Sequence, residues 1–125
     1  MRTLLFALLL SVSAMAASAQ TIATYVRGDS TATNSLIATT KACKVFAITG
    51  YSASTQYIQI FGTNAVPANG VKALFSVPVS AGQFYSIDFS YYGADLDGLV
   101  ICNSSTVNTL TIGSADTTFT AILRR

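Results

Sequence analysis

The chain has 125 residues, 7 Lys and Arg against 5 acidic side chains, and only 10% charged residues. So sparse and even a charge leaves no basic stripe for nucleic acid. The absence of histidine excludes the common Ser-His-Asp and Cys-His pairs, imidazole metal sites and the usual general base near neutral pH.

The first segment runs Met1-Arg2-Thr3, then an apolar stretch from Leu4 to Val12, then Ala17-Ser18-Ala19 before Gln20. A positive start, a short apolar run and a small-x-small site are the three parts of a secretory signal peptide. The run falls short of the roughly 20 apolar residues that span a bilayer. Cleavage between Ala19 and Gln20 is therefore expected over an uncleaved anchor, and with no Cys near that bond a lipoprotein is disfavoured. The expected protein is secreted or periplasmic and free of the membrane after cleavage. Residues 20–125 then form one domain, a length that can bury a modest core.

Beyond the signal, β-branched and aromatic residues alternate in short runs punctuated by Gly, Asn, Pro and Ser, the pattern of an all-β chain. The first run, Ile22–Val26, stops at Gly28-Asp29. A short run at Ser35–Thr39 follows a polar loop. Cys43–Thr49 and Tyr57–Phe61 read as strands flanking Tyr51–Gln56, and so predict a hairpin. Pro67 and Asn69-Gly70 mark a loop before Ala73–Val79, where Pro78 demands an edge or a terminus. Phe84–Phe89 is next, with Tyr85 alternating with Ile87 and Phe89 as a core residue would. Leu99–Asn103 is the most apolar run and hence the expected central strand. Thr109–Ile112 and Thr117–Leu123 close the domain.

Eight or nine short strands without intervening helices predict a single antiparallel β-sandwich, of immunoglobulin-like or jelly-roll type. The separation of Cys43 and Cys102 suits an immunoglobulin-like domain, but the chain has no Trp, and Val100 stands where a corner Tyr belongs. Export would allow a Cys43–Cys102 disulfide. Two buried free thiols are the alternative, since Cys packs as a small hydrophobe.

Among the five acids, Asp88, Asp95, Asp97 and Asp116 are the candidates for a glycosidase pair. Asp95 and Asp97 sit two apart, with nothing around them to suggest a cleft, so no catalytic residue is assigned. Asp95-Leu96-Asp97-Gly98 also lacks the third ligand and the Glu of a Ca²⁺ loop. It reads as a turn in which Gly98 takes positive φ. Neither a metal nor a cofactor is expected. Tyr91 and Tyr92 precede this turn, and exposed Tyr offers a broad face with a polar end. Tyr91, Tyr92, Asp95 and Asp97 are thus the expected contacts for a protein or glycan surface. Asn103-Ser104-Ser105 matches a glycosylation acceptor, or simply ends a strand.

Two groups of segments carry a resemblance. One is Tyr57–Phe61 with Val66-Pro67-Ala68-Asn69-Gly70 and Phe75–Val79. The other is Gly98–Thr106 with Thr111–Asp116. Together they resemble small β-sandwich proteins of bacteriophage and prophage genomes, mostly uncharacterised and held to be virion-associated. The resemblance covers about Cys43 to Leu123 and implies the sandwich, with no catalytic motif to carry over. Virion proteins need no signal peptide, so it implies fold ancestry or recruitment to an exported protein rather than a virion location. The expected function is non-enzymatic: an exported structural or binding protein acting by surface contact or self-association. The alternative is a carbohydrate-binding or adhesin-like domain using Tyr91–Gly98.

Overall fold

The computed structural model describes residues 25–125; the expected signal peptide and its Ala19–Gln20 bond lie outside them. Nine strands follow in order: β1 (Tyr25–Asp29), β2 (Ser35–Thr39), β3 (Cys43–Ser52), β4 (Gln56–Phe61), β5 (Phe75–Val79), β6 (Gln83–Asp88), β7 (Ala94–Leu96), β8 (Leu99–Ser104) and β9 (Thr117–Arg124). One sheet has the order β1-β9-β3-β6, with β7 also paired to β3, and the other β2-β8-β4-β5. We call them the β1 sheet and the β2 sheet. Every pairing is antiparallel, and the fold is the expected β-sandwich.

Both orders have one origin. Pairing β1 with β9, β2 with β8, β3 with β6 and β4 with β5 makes a single two-stranded ribbon whose tip is the β4–β5 hairpin. Successive pairs of that ribbon lie alternately in the two sheets. This is jelly-roll winding, and it settles the connectivity against the immunoglobulin-like option. It also corrects the expected hairpin. β3 and β4 lie in different sheets, because β9, β6 and β7 occupy both edges of β3, so residues 53–55 cross the sandwich instead.

Period-two alternation places the core. Val45, Ile48, Phe119, Ala121 and Leu123 point inward from the β1 sheet and meet Ile58, Ile60, Leu99 and Ile101 from the β2 sheet, all fully buried. Each large apolar side chain so removed from water contributes about 1.5–3 kcal/mol. Tyr85 joins them as expected, its hydroxyl donating to the Thr118 carbonyl at 2.8 Å. Burial pushes the Tyr85 phenol above its ordinary range. Pro78 lies on the edge strand β5, opposite Tyr57, where its missing N–H disrupts no inner ladder.

β8 is central in its sheet and buried at all six positions, on both faces. Its inward residues reach the main core, while Val100 and Cys102 point the other way into a second cluster with Phe61 and Leu110. The expected strand at Thr109–Ile112 is replaced by a cover over that outer face. Thr109 and Ile112 make only isolated bridges, to Lys72 and Ser104. The cover is fastened from below: Gln59, itself buried, donates through Nε2 to the Thr106 carbonyl at 2.7 Å, with the Val107 and Thr109 carbonyls at 3.2 and 3.3 Å.

The cysteines do not form the bridge that export would allow. Cys43 and Cys102 are free and buried in separate clusters, Cys43 in the main core and Cys102 beneath the cover. Asn103 is no glycan acceptor in this fold. Its side chain is fully buried, with Nδ2 donating to the Ser114 carbonyl and, at 3.0 Å, to Thr117 Oγ1.

Candidate binding groove

Among the described residues the outer face of the β1 sheet carries no such cover, and its side chains alternate with the core residues just described. One row crosses four strands in register: Tyr25 on β1, Arg124 on β9, Lys44 on β3 and Asp95 on β7. Lys44 Nζ lies 2.8 Å from the Asp95 carboxylate. Among the described residues Arg124 has no such acidic partner.

A β-bulge adds an aromatic ring to this row. The register of β3 against β9 shifts between Val45 and Ala47, which leaves Phe46 as the extra residue. Val45 and Ile48 are both buried, so the two residues between them face away from the core together. Strict alternation would instead turn every residue on one side of Phe46 to the wrong face. Phe46 packs on Tyr25, ring centroids 5.5 Å apart and planes at 54°.

Tyr91 and Tyr92 arrive from the β6–β7 turn. Ser90 donates its N–H to Asp88 Oδ1 at 2.7 Å, and both Ser90 (φ 62) and Gly93 (φ 66) adopt left-handed backbone. A Cβ on Gly93 would press against the Lys44 side chain and the Val45 carbonyl, so the turn sits directly on β3. Tyr91 and Tyr92 stand 90% and 80% exposed, ring centroids 5.8 Å apart, nearly perpendicular at 84°.

Tyr25, Phe46, Tyr91 and Tyr92 line one groove of about 370 Å³ with Lys44 and Arg124. A second groove of about 360 Å³ adjoins it, and there Asp95 and Asp97 meet Ala42, Leu96 and Arg125. Lys44 and Arg124 line both. The structure therefore splits the four expected contact residues, placing the tyrosines in an aromatic groove and the aspartates in its polar neighbour.

The turn expected at Asp95–Gly98 is also revised. Asp95 belongs to β7 and pairs with Lys44, and Gly98 does not have positive φ. Gly98 is instead demanded by close approach, since a Cβ there would overlap the Thr63 carbonyl. Of the remaining acids, Asp116 accepts from Ser54 Oγ and from Gln56 Nε2, while Asp88 caps the tyrosine turn. Among the described residues no three Cys, Asp or Glu side chains gather as metal ligands.

Sequence reasoning missed Tyr25, Lys44, Phe46 and Arg124. Tyr25 and Arg124 lie almost 100 positions apart in the chain and meet only through strand register. Phe46 alone left a signal, because Val45-Phe46-Ala47-Ile48 breaks alternation where the bulge falls. No known family, curated protein or solved structure matches the chain.

Proposed function

We propose that this is a non-enzymatic, exported β-sandwich protein that acts by surface contact, and that its contact face is the aromatic end of the β1 sheet. The observation that carries this reading is the groove that the described residues leave open: four aromatic side chains gathered on one sheet face, with Tyr91 and Tyr92 almost wholly exposed among them. Contiguous exposed aromatic surface is costly to leave wet and marks interaction sites. The acids found in engaged structural roles give no support to a hydrolytic pair. Jelly rolls host capsid and lectin domains, which also act by contact, though this is analogy of fold alone. In this proposal the resemblance to prophage sandwich proteins reflects descent of the fold, recruited to an exported role.

The test has two parts. Mass spectrometry of the protein released by its producing cells should give an N-terminus at Gln20; Met1 would overturn export. Retention on the envelope of those cells should fall about tenfold in the Tyr91→Ala, Tyr92→Ala double variant. Unchanged retention of a folded variant would overturn the contact face. Light scattering addresses self-association: a strict monomer across concentration removes assembly and leaves contact with another surface.

A further inference from the structure

The groove's chemistry narrows its ligand, given the reading of it as a contact face. We infer that it takes a saccharide bearing a carboxylate, a uronic-acid-type sugar within a glycan.

Three observations lead there. First, the rings are tilted, at 54° within one pair and 84° within the other. Such an arrangement offers separate ring faces along a curved wall rather than a parallel slot for a flat base. The negative face of each ring attracts the weakly positive C–H groups on the apolar side of a pyranose. Second, three of the four rings are phenols, whose hydroxyls can bond the sugar's hydroxyl rim. Third, among the described residues the groove has cations and no carboxylate of its own: Lys44 is held by Asp95, and Arg124 has no acidic partner there. A guanidinium binds a planar carboxylate through two parallel hydrogen bonds. One free guanidinium suits one acid group among neutral sugar contacts; a nucleic-acid strand would need a row of cations.

The experiment is calorimetric titration of the protein with an oligogalacturonate, with a neutral cello-oligosaccharide of equal length and with oligo-dT. The acidic oligosaccharide should bind at least tenfold more tightly than the other two. Arg124→Ala should weaken it roughly 10- to 100-fold, as loss of a charge-assisted bond does, with Arg124→Lys in between. Arg27→Ala, on the same face but paired to Asp29 at 3.0 Å, should change nothing. Equal binding of the neutral sugar, or indifference to Arg124→Ala, would overturn the acid specificity. Preference for oligo-dT would overturn the saccharide. If no sugar binds while envelope retention still depends on Tyr91 and Tyr92, the ligand class is wrong and the contact face stands. Loss of retention dependence as well would remove both.

Discussion

The two sheets of this sandwich treat their outer faces in opposite ways. Over the β2 sheet the chain lays down a cover around Leu110, sealing Phe61, Val100 and Cys102 beneath it. Over the β1 sheet the described residues lay no such cover, and Tyr25, Tyr91, Tyr92 and, at the far end, Phe84 stand exposed among them. A sheet needs only one buried face for stability, since antiparallel strands tolerate water on the other. The second buried face is therefore structural reinforcement, whereas the aromatic side chains on the bare face contribute little to stability and are available for contact.

That contrast can be broken at either face. The largest effect is expected beneath the cover: Leu110→Ala removes a fully buried side chain and should cost about 2–5 kcal/mol, read by denaturant melting. Amide exchange across residues 105–112 should speed up at the same time. A loss under about 0.5 kcal/mol would mean that the cover is only loosely attached.

Next comes alkaline pH, acting through Cys102. Burial pushes this thiol from 9.0 up to about 12, while Cys43 is also raised, by burial first. The folded state thus favours the neutral thiol. Its contribution is complete below pH 9 and is lost as pH rises from 9 towards 12, by up to about 1.4 kcal/mol per pH unit. Stability that stays flat across this window would show the thiol to be wet. The smallest effect belongs to the bare face. The Tyr91→Ala, Tyr92→Ala variant should melt within about 0.5 kcal/mol of the parent protein, as exposed substitutions do. A larger loss would make these rings part of the fold rather than a contact surface.

Alternation and punctuation were enough to read the strands from β2 to β9, apart from the three-residue β7, and to place Leu99–Asn103 at the centre of a sheet. Which face of β8 met which cluster was not legible, because a strand buried on both sides loses its period-two signal. The crossing from β3 to β4 was hidden for a different reason: a three-residue connection fits a hairpin and a sandwich crossing equally well, and the choice depends on what already flanks β3. At the site, Tyr91 and Tyr92 were legible as polar-ended aromatics at a glycine turn. Their partners were not, since Tyr25, Arg124 and Lys44 become neighbours only when the first and last strands pair.

The central claim is that one end of the bare sheet makes the contact. Hydroxyl-radical footprinting of the protein on the envelope of its producing cells tests it directly, because the same sheet carries an internal control. Tyr51 and Phe84, paired at the opposite end with ring centroids 5.1 Å apart, should label as in free solution. Tyr25, Phe46, Tyr91 and Tyr92 should be protected. Protection confined to Tyr51 and Phe84, or absent from all six residues, would contradict the account.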